Sequence, residues 1–155
     1  MMSLNDLISP QAVIASLKAN SKKQALTELS DKAAELSGID AREVLDALIQ
    51  RERLGSTGIG GGIAIPHGKI AKCDRIFGVF ARLEKPVDFE ALDDAPVDLI
   101  FLLIAPENAG ADHLNALSRV ARALRDQSLI ATLRSTRDPS ALYSIIVRSP
   151  TPNAA

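Results

Sequence analysis

Apolar residues recur every three or four positions along the first third of the chain. Leu26, Leu29, Ala33 and Leu36 fall on one face at helical period. Ser21 and Gln24 precede them at the spacing of a capping box, and Gly38 follows as a stop, so the pattern predicts a helix over 22–37. Val44, Leu45, Leu48 and Ile49 repeat the stripe behind Asp40 and Glu43, predicting a second helix that Gly55 ends. Upstream, residues 11–17 (QAVIASL) are short and partly β-branched, the mark of a first, edge strand.

Helical spacing then disappears. Residues 55–68 hold six glycines and read as a loop with short extended pieces, among them Ile63, Ala64 and Ile65, a strand stopped by Pro66. Residues 76–83 (IFGVFARL) predict another strand, and Glu84, Lys85 and Pro86 a turn. Between Pro96 and Pro106 lies VDLIFLLIA, the nearly continuous apolar run that a central strand covered on both faces requires. The last third returns to helical period. Asp112 is expected to cap a stripe of Leu114, Leu117, Ala121 and Leu124; Leu129 to Leu133 form a short helix; Asp138 before Pro139 opens a final one through about Val147. The tail Ser149 to Ala155 is expected to fray. Helices before, between and after the strands imply an α/β fold with a covered sheet, a single domain over 1–148 and a flexible tail over 149–155. Strand order is not contained in this pattern.

Composition narrows the chemistry. With 3% aromatic residues and no Trp, the core must be built from Leu, Ile, Val and Ala. The 18 basic and 19 acidic residues leave a net charge of -1, which gives no support to binding nucleic acid or anionic membranes through bulk charge. Cys73 is the sole cysteine, so neither an intrachain disulfide nor a multi-cysteine zinc site is possible. The first residues lack the basic flank and apolar run of a signal peptide, and no run approaches the ~18 apolar residues of a membrane span. A cytoplasmic protein without membrane insertion is expected.

Two histidines carry the candidate chemistry. His67 follows Ile65 and Pro66 at the exit of an expected strand, where a rigid backbone and small neighbours leave an imidazole open to a partner. The plainer alternative is a histidine that merely ends a strand at the surface. His113 lies in the first turn of an expected helix. It is either a partly buried ring bonded to backbone or a donor added to a helix N-terminus that favours anions. The glycines match no nucleotide motif. A Walker A loop would need glycine at Ile63 and a hydroxyl at Ile70, and the dinucleotide fingerprint fails at Ile63 or Ile65 in either register. Ser56 and Thr57 offer hydroxyls beside the glycines. Arg51, Arg53 and Lys69 supply positive charge, although a solvated helix end explains both arginines. Asp88, Glu90, Asp93, Asp94 and Asp98 are explained by turns and solubility, and no histidine–carboxylate spacing marks a metal site.

The string Arg51 to Lys69 (RERLGSTGIGGGIAIPHGK) closely resembles the active-site signature of enzyme IIA proteins of the fructose/mannitol class in the phosphoenolpyruvate-dependent phosphotransferase system. It is most similar to the nitrogen-regulatory branch. PVDLIFLL and DHLNALSRVARAL extend the resemblance over nearly the whole chain. It implies a central mixed sheet flanked by helices, and His67 as phosphoryl acceptor, a tele-phosphohistidine in transit. Position by position, His113 matches the second active-site histidine and Arg51 the phosphate-side arginine, while Ser56 and Thr57 fill the hydroxyl positions that support the phosphate. The implied donor is a histidine-phosphorylated carrier protein (HPr-like). The implied targets are regulatory partners such as sensor kinases or transporters in nitrogen, carbon or potassium control, with no cofactor or metal. Sugar-transport members often carry an acid or amide where Gly61 stands, so here no side chain at that site is expected to orient the phosphohistidine. The chain's ending after one domain favours regulation over a sugar-specific IIA transport role. A pure interaction regulator and a two-histidine metal enzyme are the rival readings.

Overall fold

The computed structural model describes residues 4–148. A short 3-10 turn, Pro10–Ala12, leads into strand β1, Val13–Leu17. Helices α1, Lys22–Ser37, and α2, Ala41–Glu52, follow. Ser21 accepts from the Gln24 N–H at the start of α1, and Gly38 closes it in the left-handed conformation at φ 79 with its N–H on the Ala34 carbonyl. Asp40 caps α2 through the Arg42 N–H. Both helices therefore begin where the capping residues placed them.

The glycine-rich segment is more ordered than its composition implied. It forms β2, Gly58–Gly60, β3, Ile63–Ala64, and β4, His67–Ile70. Strands β5, Phe77–Val87, and β6, Val97–Pro106, come next. The sheet runs β1-β5-β6-β3-β2, with β4 also on β6. It is mixed: β5 is antiparallel to β6, while β1 on β5, and β3 and β4 on β6, are parallel. β1 lies at an edge as expected. Residues 98 through 105 of β6 are buried except for the half-buried Asp98. Since successive side chains point to opposite faces, both faces of the central strand are covered.

Three helices complete the chain: α3, Ala111–Ala123, α4, Gln127–Ser135, and α5, Pro139–Val147. Asp126 and Asp138 cap the last two. Two expectations are corrected. Asp112 does not cap α3; the N-cap is Gly110, and Asp112 sits in the first turn, where its charge still complements the helix dipole. Glu84, Lys85 and Pro86 do not form a turn but continue β5 beyond a register irregularity between Arg82 and Val87. There they are exposed, and a proline without an N–H breaks no ladder bond. The segment Ser149 to Ala155 lies outside the described residues.

Candidate functional site

His67 opens β4 rather than ending the strand before it. Pro66 separates β3 from β4, and its carbonyl accepts from the Leu103 N–H, so the chain stays against β6 without a break. The imidazole is half-buried and bonded at both nitrogens. Arg51, in the last turn of α2, donates from Nε to His67 Nε2 at 3.1 Å, and Nδ1 lies 2.9 Å from the Ile65 carbonyl. A guanidinium can only donate, so Nε2 presents its lone pair. In the neutral ring the proton then resides on Nδ1, which donates to Ile65. Burial holds the His67 pKa below its ordinary 6.5; the Ile65 carbonyl and Glu52 pull upward, and Arg51 pushes down further. The ring is thus a neutral imidazole with its nucleophilic lone pair at Nε2 and its tautomer set.

His113, from the first turn of α3, stands beside it with ring centroids 5.6 Å apart and planes at 66°. It is 5% exposed, and its Nε2 has no hydrogen-bond partner among the described residues. Burial lowers its pKa as well, helped by His67 and by Lys69. A buried polar atom without a partner costs about 1–3 kcal/mol, so its retention in this position calls for an explanation. Arg51 completes the cluster. Beyond His67, its side chain bonds the Gly55 carbonyl at 3.0 Å, and none of the ion pairs among the described residues includes it.

Both motif hydroxyls are bonded within the protein. Ser56 donates to the Phe89 carbonyl at 2.6 Å and accepts from the Gly58 N–H, which makes it a loop-closing residue. Thr57 is 5% exposed; its hydroxyl is committed to Glu52 and its carbonyl to the Ile65 N–H. The Gly62 carbonyl accepts from the Asp98 and Leu99 N–H groups, whereas His67 pairs with Leu103.

Glu52 is the residue that sequence reasoning missed. A carboxylate at the C-terminal end of a helix opposes the dipole and needs a compensating partner, and that misplacement was the available signal. Its partner is Lys22, at 2.8 Å. Among the described residues no group of three or more His, Cys, Asp or Glu side chains is arranged to hold a metal ion, and no helix is long and apolar enough to cross a membrane.

This constellation can be compared with known proteins. Residues 6–149 match the family model described as phosphoenolpyruvate-dependent sugar phosphotransferase system, EIIA 2. The chain is 57% identical over 149 residues to the nitrogen regulatory protein of Bradyrhizobium diazoefficiens, covering 96% of this chain and 97% of that one. With the nitrogen regulatory protein of Escherichia coli it shares 40% identity over 146 residues, 94% of this chain and 90% of that one. The crystal structure of nitrogen regulatory protein IIA-Ntr from Neisseria meningitidis superposes with a TM-score of 0.86 at 34% identity, covering 91% of this chain and 97% of that one.

Proposed function

The chain belongs to the EIIA type-2 family of the phosphoenolpyruvate-dependent sugar phosphotransferase system, and on that premise we propose that it is a cytoplasmic regulatory phosphoryl carrier. It accepts a phosphoryl group on His67 Nε2 from a histidine-phosphorylated carrier protein. The observation that carries this reading is the pair of ring nitrogens: an Nε2 lone pair on His67 capped only by a guanidinium, beside an unpartnered Nε2 on His113. The strong likeness to nitrogen regulatory proteins supports regulation rather than sugar transport as the use of that chemistry.

In the transfer, Nε2 attacks phosphorus in line as the donor's N–P bond breaks. The departing electron pair returns to the donor imidazole, which leaves neutral with the proton it carried on its other nitrogen. The His67 ring becomes cationic while its proton stays on Nδ1, which donates to the Ile65 carbonyl, whose dipole favours that charge. Phosphoryl transfer is loose in its transition state, so the protein contributes positioning and charge. Arg51 must release Nε2 for attack, and its guanidinium then serves the phosphoryl oxygens. His113 Nε2, bearing a proton, donates to the same group. Leu54 and Leu114, exposed and close in sequence to Arg51 and His113, give the docking protein apolar contact. The product carries roughly -1.5 to -2 added charges, enough to change which partner binds.

Incubation with phosphorylated carrier protein is expected to yield acid-labile, base-stable phosphate mapped to His67. Undiminished labelling of His67→Ala overturns the assignment. Rescue of sugar uptake in a cell lacking its own IIA would instead favour the transport role.

A further inference from the structure

Resting on the His67 reading, we infer that Glu52 is a positioning residue for the transfer, acting with Lys22 and Thr57 to hold the acceptor ring between its two bonding partners. Glu52 ends α2, immediately after Arg51. Its side chain is 7% exposed and its carboxylate is fully used. Oε1 takes the Thr57 N–H at 3.1 Å and the Lys22 ammonium at 2.8 Å, and Oε2 takes the Thr57 hydroxyl. Thr57 passes the constraint on, because its carbonyl accepts from the Ile65 N–H at 3.0 Å, and the Ile65 carbonyl bonds His67 Nδ1.

The two groups that set the state of His67 arrive by different routes, and Glu52 governs both. Arg51 is its neighbour on the last turn of α2. Ile65 belongs to the segment that Thr57 ties to the same carboxylate. A shift of Glu52 therefore moves the guanidinium at Nε2 and the carbonyl at Nδ1 together. Loss of the Ile65 bond releases the tautomer, and a ring protonated on Nε2 has no lone pair there to attack phosphorus. Lys22 makes the arrangement affordable electrostatically. It also lies 3.3 Å from Glu90 and 5.0 Å from the Phe89 ring centroid, so it is held from the far side as well. A buried carboxylate with a fixed counter-ion and two further donors is stiff, and stiffness is the property that in-line transfer demands.

The test compares Glu52→Gln and Thr57→Val with wild type and with Thr57→Ser, using purified phosphorylated carrier protein as donor. In Glu52→Gln the single-turnover transfer rate at saturating donor is expected to fall between about ten- and a hundredfold, with little change in the donor concentration giving half-maximal rate. Ring-nitrogen NMR is expected to show the Nε2-protonated tautomer of His67 gaining population. Thr57→Val should show the same tautomer change, and Thr57→Ser, which keeps the hydroxyl, should recover most of the rate. A wild-type rate and unchanged tautomer in both Glu52→Gln and Thr57→Val overturn the inference. Should Glu52→Gln fail to fold, the Thr57→Val and Thr57→Ser pair decides by the same two readouts. If wild type itself takes no phosphoryl group on His67, the functional reading fails instead, and the tautomer shift alone then tests whether Glu52 orients the ring.

Discussion

The glycine-rich segment between α2 and β5 has two ends that behave differently. At its tip, Arg134 binds Asp98 through Nε and Nη2 and reaches the Gly61 carbonyl at 2.6 Å, while Asp93 accepts from the Gly61 N–H. There Asp98 answers the Arg134 charge, and backbone N–H groups answer Asp93. At the histidine end, Arg51 points at a neutral ring nitrogen and His113 keeps a buried nitrogen unpartnered. The motif from Arg51 to Lys69 thus contributes both to a clamp, where Arg134 pairs with Asp98, and to a site whose Arg51 guanidinium has no carboxylate partner among the described residues. A surplus of donors is how a protein prepares for an anion.

Breaking the histidine end should have the largest effect. Arg51→Ala is expected to lower phosphoryl acceptance about a hundredfold, and His113→Ala somewhat less, without a matching loss of fold. Rapid-quench labelling from the phosphorylated carrier checks this, and near-wild-type rates in both variants would remove the distinction between the two ends.

The tip should respond in stability instead. Gly62 sits at φ 83, and a Cβ there would lie 2.4 Å from Arg134 Nη2 and 2.9 Å from Asp98 Oδ1. Gly62→Ala is expected to cost about 1–3 kcal/mol in urea unfolding, since both backbone strain and a disturbed ion pair contribute. The transfer rate per folded molecule should hold. A rate loss as large as that of Arg51→Ala would mean that the clamp and the site act together.

The smallest effect is in pH, where the two ends separate into different windows. His67 and His113 have folded pKa values below 6.5, so the folded chain binds fewer protons than the unfolded chain just beneath that value. Their contribution to stability is complete above about pH 6.5 and is lost as the pH falls through the lowered values. Asp93 is depressed below 3.8 by the Gly61 and Ala95 N–H groups, so its contribution persists above that value and is lost only as the pH falls through its lowered pKa. Urea midpoints against pH should show the first decline weakened in His67→Gln. A decline unchanged in that variant would place it elsewhere.

Much of the fold was legible because its signals are local. Ser21, Asp40 and Asp138 begin helices through bonds to backbone within three residues, and Gly38 ends one through its own φ. The apolar run of β6 announced a strand covered on both sides. Glu84 to Pro86 misled because turn-forming composition also suits an exposed stretch that needs no ladder donor. The glycines misled in the opposite sense, since parallel pairing to β6 supplies order that the segment's own composition does not. The site divided in the same way. His67, His113 and Arg51 could be singled out by residue type and motif, and the fold brings them together, but the bonding partners of Ser56, Thr57 and Glu52 were not legible.

What the sequence by itself determined is where the elements start and stop, and which side chains carry titratable or cationic chemistry, because these follow from backbone bonds and pKa values within a few residues. Which nitrogen of His67 presents its lone pair, which groups stand beside the ring and which carboxylate ties down the neighbouring backbone were decided by tertiary structure alone. Those properties depend on contacts among Lys22, Glu52, Ile65 and His113, residues far apart along the chain that only the packing of α1, α2, β4 and α3 brings within a few ångströms.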